Sequence, residues 1–178
     1  LQRLSGIATL THQFVERVKG TRAKILDTRK TTPGWRRLEK YAVRVGGGEN
    51  HRLGLYDMIL IKENHIVAAG GITAAVNLVR KGLQAMNLNL KIEVETRTIP
   101  EVEEALLAKV DRIMLDNMNL KQIREAVNIV KGAVELEVSG GVSLETVGEI
   151  AGTGVDYISV GALTHSAKAL DLSLLVDS

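Results

Sequence analysis

Charged and glycine-rich residues in this chain recur just after short apolar runs. In Asp27-Thr28-Arg29-Lys30-Thr31-Thr32-Pro33-Gly34, Arg29 gives a planar bidentate fork and Lys30 a compact cation. That pair suits a carboxylate or a phosphate, although a solvated basic loop has the same composition. Gly46-Gly47-Gly48 precedes Glu49-Asn50-His51-Arg52, where a freely bending backbone could approach a ligand or hinge a lid. His51 and Arg52 would add an imidazole and a second guanidinium. Lys62 ends the apolar run Met58-Ile59-Leu60-Ile61, where an unpaired cation is costly. An anion clamp, a Schiff-base lysine and a snorkelling strand-end lysine all fit it.

Two carboxylates, Glu95 and Asp116, close the runs Lys91–Glu95 and Arg112–Asp116. They could hold Mg²⁺ together with substrate oxygens, act in acid–base chemistry, or pair with Arg29, Lys30 and Lys62. Ser139-Gly140-Gly141 and Ser159-Val160-Gly161-Ala162 follow the last two runs, with His165 just beyond. Backbone N–H groups exposed by glycine make anion sites, and two such loops in succession favour a phosphate.

Positioning these residues requires a repeating element. Apolar or β-branched runs at 24–28, 58–62, 91–95, 112–116, 134–139 and 157–161 read as six strands. Helix-period stretches follow at 4–18, 73–86, 100–108, 120–130 and 144–151; in the fourth, Ile123, Ala126, Val127 and Val130 share one face. Near-continuous apolar strands alternating with helices imply a parallel sheet, whose ligands bind at the carboxyl ends of the strands. Six βα units are too few for a complete eight-unit barrel, so a six-stranded, incomplete TIM-like α/β barrel is expected. The 178 residues read as one domain, 1–178.

Composition removes several functions. Cysteine is absent, which excludes disulfides, thiolate metal sites and cysteine nucleophiles. Aromatics at 3% leave little for base stacking, and no apolar run approaches a membrane span. A cytoplasmic protein that binds neither nucleic acid nor membrane is expected. The net charge of +2 is uneven: residues 22–52 carry nine basic and three acidic side chains, a net +6, so the remainder carries −4. An anionic partner would be drawn to the first third.

The blocks ILDTRKTTPGWRRLEKYAVRVGGGENHRLGL (Ile25–Leu55), ILIKENHI (Ile59–Ile66), IEVET (Ile92–Thr96), IMLDN (Ile113–Asn117), ELEVSGGV (Glu135–Val142) and ISVGALTHS (Ile158–Ser166), with LQRLSGIAT at Leu1–Thr9, closely resemble the quinolinate phosphoribosyltransferases. The resemblance implies a Mg²⁺-dependent transfer of phosphoribosyl from phosphoribosyl pyrophosphate (PRPP) to quinolinate. Nicotinate mononucleotide, pyrophosphate and CO₂ would be the products, in NAD biosynthesis. It implies that Arg29, His51, Arg52 and Lys62 hold the quinolinate carboxylates and Lys30 reaches pyrophosphate. Glu95 and Asp116 would attend ribose and Mg²⁺, with Lys30, Lys62, Glu95 and Asp116 as the catalytic set. The backbones of Ser139, Gly140, Gly141 and Gly161 would hold the 5′-phosphate, and Thr28, Val160, Ala162 and His165 would line the same pocket.

Members of the family also carry an N-terminal α/β sandwich domain, and a homodimer partner adds an arginine to each site. The chain is therefore expected to be the barrel portion, truncated at its N-terminus and poorly active alone. The alternatives are a non-catalytic or engineered barrel fragment, and a paralogous phosphoribosyltransferase acting on another carboxylated heterocycle.

Overall fold

The computed structural model describes residues 1–176. Fourteen elements follow one another: α1 (Gln2–Arg17), β1 (Lys24–Leu26), α2 (Arg36–Val45), β2 (Ile59–Ile61), α3 (Glu63–Ala69), α4 (Ile72–Ala85), β3 (Ile92–Thr96), α5 (Ile99–Leu107), β4 (Arg112–Asp116), α6 (Leu120–Val130), β5 (Glu135–Ser139), α7 (Val147–Ala151), β6 (Tyr157–Ser159) and α8 (Ala162–His165). All six expected strands form, with ends no more than two residues from those expected. Thr98 and Glu101 exchange hydrogen bonds to start α5, and Asn119 and Gln122 do the same for α6. Helix α7 begins at Val147 rather than Leu144. Ser143–Thr146 first makes a turn in which the Thr146 and Val147 N–H groups both donate to the Ser143 carbonyl.

Every strand pairing is parallel, in the order β1-β6-β5-β4-β3-β2. Strands β1 and β2 do not pair with each other. Their gap takes the loop after α2, where Glu49 N–H donates to Ile25 O at 2.8 Å and Asp27 N–H donates to Glu49 O at 3.2 Å. The sheet is thus a six-stranded, incomplete barrel whose open seam is plugged by the His51-bearing loop.

The expectation of apolar strands holds on one face only. Ile25, Ile61, Val94, Ile113, Leu115, Val138 and Ile158 face the helices and join Ile7, Phe14, Val76, Val102 and Ile123 in one apolar core. Burial of each such side chain contributes about 1.5–3 kcal/mol. The alternate positions, Glu93, Glu95, Arg112, Asp116, Glu135, Glu137 and Ser159, turn to the barrel interior. That interior is largely polar, with Leu60 and Met114 among the charged groups.

Gly46-Gly47-Gly48 is neither a hinge nor a ligand loop. Gly46 and Gly48 are buried, and a Cβ at either would collide with Thr11 of α1. Small residues are needed here because loop and helix pack backbone to side chain. No single helix among the described residues is long and apolar enough to cross a membrane.

Candidate active site at the carboxyl ends of the strands

A cavity of about 700 Å³ opens at the carboxyl edge of the barrel. All fifteen residues expected at the site line it. Thr28, Arg29 and Lys30 enter after β1, His51 and Arg52 from the plug loop, Lys62 after β2, and Glu95 and Asp116 from β3 and β4. Ser139, Gly140 and Gly141 follow β5, while Val160, Gly161, Ala162 and His165 follow β6. Leu60, Met114, Asn117, Val142 and Ser159 complete the wall.

The cationic side is held by a buried acid. Asp27, fully buried, pairs with Lys40 of α2 and accepts from Asn50 Nδ2 at 2.7 Å and from His51 N–H at 2.9 Å. Burial raises the Asp27 pKa and lowers that of Lys40, and their mutual attraction opposes both shifts. Arg36 bonds Thr31 Oγ1, the Arg29 carbonyl and the Leu53 carbonyl, joining the two loops. Thr164 Oγ1 donates to the Lys30 carbonyl at 2.7 Å. The basic loop is therefore fixed through its backbone.

Its side chains are left free. Among the described residues, Arg29, Lys30 and Arg52 have no acidic partner, and Arg29 Nε is buried without any hydrogen bond. Burial, and then the charge of Arg29, lower the pKa of Arg52. Two neighbouring guanidinium groups in a partly desolvated pocket repel each other, and a bound anion relieves that repulsion. Only these three of the nine basic residues in 22–52 face the cavity. Arg22 pairs with Asp156 and Lys24 with Glu49, while Arg37, Lys40 and Arg44 border a second cleft.

Across the cavity the carboxylates are paired. Lys62 Nζ lies 2.5 Å from Glu95 Oε2, and Asp116 Oδ2 lies 3.4 Å from Arg97 Nε, with Arg97 also bound to Glu63. Glu95 stands beside Met114 in the β3–β4 register, so Asp116 projects from the same face two residues further on. Two hard oxygen donors at the cavity edge, each matched only by a flexible cation, fit Mg²⁺ shared with substrate oxygens. The two ion pairs hold them in place.

At the ends of β5 and β6 the loops are glycine-shaped: Gly140 and Gly141 adopt φ of 95° and 61° in succession. A Cβ at Gly140 would collide with the side chain of Asn117, itself at φ 55°. A Cβ at Gly161 would stand 3.0 Å from His165 Nε2 and 3.5 Å from Lys30 Cδ. Both glycines permit close approaches that a side chain would block.

Sequence reasoning missed the polar network beneath the cavity. His51 Nε2 is 2.9 Å from Glu93 Oε2 and 3.3 Å from Glu137 Oε2, and both carboxyls are fully buried. Arg112 Nη1 donates to Glu137 at 3.0 Å, Ser159 donates to Glu137 as well, and the Arg112 guanidinium lies 3.9 Å from the Tyr157 ring centroid. The period-2 spacing of Glu93 with Glu95, and of Glu137 with Ser139, was the available signal.

Burial opposes charge on His51, but hydrogen bonds to Glu137 and Glu93 raise its pKa to about 9. Burial and the charge of Glu137 push Glu93 up to about 7, while His51 and Ser159 outweigh burial and hold Glu137 below the usual range. Arg52 N–H donates to His51 Nδ1 at 2.7 Å, so a proton at Nδ1 would face another donor. Glu93 Oε1 is buried without a hydrogen-bond partner.

A rolled parallel sheet with free cations facing acidic groups across its carboxyl edge defines an α/β barrel with a charge-divided cleft. The model of the family described as "Quinolinate phosphoribosyl transferase, C-terminal domain" matches residues 7–175, and the chain belongs to that family. It is 50% identical to "Quinolinate phosphoribosyltransferase [decarboxylating] 1b" of Nicotiana tabacum, matching 100% of this chain and 55% of the relative. The nicotinate-nucleotide pyrophosphorylase of Francisella tularensis superposes with a TM-score of 0.92 at 50% identity, over 97% of this chain and 60% of the other. That of Ehrlichia chaffeensis gives 0.91 at 51%, over 96% and 61%. The chain thus spans little more than half the length of these relatives.

Proposed function

We propose that this barrel transfers phosphoribosyl from PRPP to quinolinate with loss of CO₂, giving nicotinate mononucleotide and pyrophosphate. One observation carries the reading: Arg29, Lys30 and Arg52 stand without counter-ions opposite Glu95 and Asp116 in one cavity. A dicarboxylate fits the arginine pair and Lys62, and a sugar pyrophosphate fits between Lys30 and the acids. The glycine loops after β5 and β6 suit its 5′-phosphate. Glu95 and Asp116 would hold Mg²⁺ with the substrate's oxygens, and the ion would neutralise charge on the leaving pyrophosphate.

The residues' work is orientation and electrostatics. The pyridine nitrogen attacks the anomeric carbon, the N–C bond forms, and the C–O bond breaks with its electron pair leaving on pyrophosphate. Positive charge that develops on the sugar is stabilised by Glu95 and Asp116. The clamp holds the nitrogen in line, which contributes several kcal/mol in favourable systems. In the resulting pyridinium the adjacent C–carboxylate bond breaks, CO₂ leaves, and its electron pair stays on a ring carbon that then takes a proton. No covalent enzyme intermediate is needed, so Lys62 serves as a cation rather than a Schiff base.

The reading includes a cytoplasmic homodimer, supported by Leu38, Tyr41 and Val45, which expose one apolar face of α2. Calorimetric titration with quinolinate and with nicotinate, which lacks the second carboxylate, tests the clamp. The dicarboxylate should bind at least about tenfold more tightly, as expected for one further charge-assisted contact. Equal affinities would overturn the clamp, and no heat with quinolinate or PRPP would favour a non-catalytic barrel.

A further inference from the structure

The basic loop between β1 and α2 is held at two places by two different arginines. Arg36 donates to the Arg29 carbonyl at 3.3 Å and to the Leu53 carbonyl at 3.2 Å, which ties the Arg29 half to the plug loop. The other half is held from α1. Arg3 Nε donates to Glu39 Oε1 at 2.9 Å, while its Nη2 donates to Thr32 Oγ1 at 2.9 Å and to the Thr164 carbonyl at 2.8 Å. Glu39 Oε2 accepts the Thr32 N–H at 3.0 Å. Thr164 Oγ1 then donates to the Lys30 carbonyl at 2.7 Å.

Glu39 and Thr164 are fully buried, and Arg3 stands outside the cavity wall. A buried carboxylate is costly unless it is paired and its oxygens are filled, which the Arg3 fork and one backbone N–H accomplish. That pairing alone would not require Arg3 to reach Thr164. By doing so it joins the loop after β1 to helix α8, which follows β6, across the ends of two paired strands.

Lys30 and Gly161 meet at this junction. A Cβ on Gly161 would stand 3.5 Å from Lys30 Cδ, so their separation is set closely. In the proposed reaction Lys30 meets the pyrophosphate and the Gly161 backbone the 5′-phosphate, two anionic groups of one molecule. We infer that Arg3, seated on Glu39, is a positioning residue that sets Lys30 against the Gly161 loop and so shapes the PRPP half of the cavity, while Arg36 holds the quinolinate half. The inference rests on the reading of the cavity as a PRPP site.

Two variants that keep the buried charge paired test it. Arg3→Lys retains a cation for Glu39 but loses the planar fork that serves three acceptors, and Thr164→Val removes the link to Lys30. Each should weaken PRPP binding about tenfold in calorimetry, the size of one charge-assisted contact, and change quinolinate affinity by less than about twofold. Equal losses for both ligands would overturn the inference and make the network general support for the fold; unchanged PRPP affinity would overturn it as well. Amide hydrogen exchange gives a second reading without ligand. In Arg3→Lys, the Thr32 and Thr164 amides should exchange at least about tenfold faster together, while Val94 on β3 keeps its protection. Unchanged exchange at either would show that Arg3 does not join the two loops. If PRPP does not bind the parent chain, the functional reading fails and the PRPP role falls with it, whereas binding with unchanged exchange overturns the inference alone.

Discussion

Lys62 Nζ lies 2.5 Å from Glu95 Oε2, tying the end of β2 to the end of β3. The cation proposed for the acid substrate is thus matched by the carboxylate proposed for ribose and Mg²⁺. The pairing avoids both an uncompensated lysine and an uncompensated, largely buried glutamate. In the proposed reaction a substrate carboxylate on Lys62 would release Glu95 toward the sugar.

Glu95→Gln should therefore separate binding from turnover. Quinolinate affinity should hold or rise, because Lys62 loses its internal competitor. Turnover should fall by about 100-fold or more, as for loss of a charge that acts in the transition state. Calorimetry and a product assay on the same variant measure both. A parallel loss of quinolinate affinity would show that Glu95 also supports the clamp.

Lys62→Ala should abolish quinolinate binding and spare the fold. The lysine side chain is 47% exposed, and an ion pair in that setting contributes little to stability. The Tm should move by no more than about 2 °C. Unchanged affinity would remove Lys62 from the clamp.

Gly140 and Gly141 should differ on substitution by alanine. Gly141→Ala keeps open space around the new Cβ and should cost only about 1–2 kcal/mol for its left-handed φ. Gly140→Ala adds a collision with Asn117, so it should cost more and weaken PRPP binding further. Thermal melts and PRPP titrations compare the two. Equal effects would mean that Asn117 moves aside freely.

The acidic interior predicts a pH slope in stability. His51 rises from 6.5 to about 9 and Glu93 from 4.5 to about 7, so the folded cluster holds more protons than the unfolded chain. Folded pKa values above the unfolded ones give stability that is fully present below the unfolded values and lost as pH rises through the folded ones. The Tm should drop by roughly 5 °C or more between pH 6.5 and 9, and His51→Gln should flatten that slope. A Tm that rises over the interval would show that the cluster folds without the extra proton.

Much of this architecture is written locally, and some is not. The strands and the cavity-lining residues after them were legible because apolar runs end in such residues, as Ile61-Lys62 and Leu115-Asp116 do. Helix α2 was missed although its residues are amphipathic: its apolar stripe, Leu38, Tyr41 and Val45, faces outward, while the charged Glu39 and Lys40 are the buried ones. Their partners, Arg3 and Asp27, come from other elements. The same holds inside the barrel, where Glu93 and Glu137 become tolerable only because the plug loop brings His51 and β4 brings Arg112. The triple glycine misled for a related reason: its cause is the approach of Thr11, which lies more than thirty residues earlier.

The most direct measurement supplies quinolinate, PRPP and Mg²⁺ and counts CO₂ against nicotinate mononucleotide. Equal amounts of both from quinolinate, and no CO₂ when nicotinate replaces it, are the predicted result. Binding of both substrates with neither product formed would contradict a catalytic barrel, and mononucleotide formed from nicotinate but not from quinolinate would place a different heterocycle in the clamp.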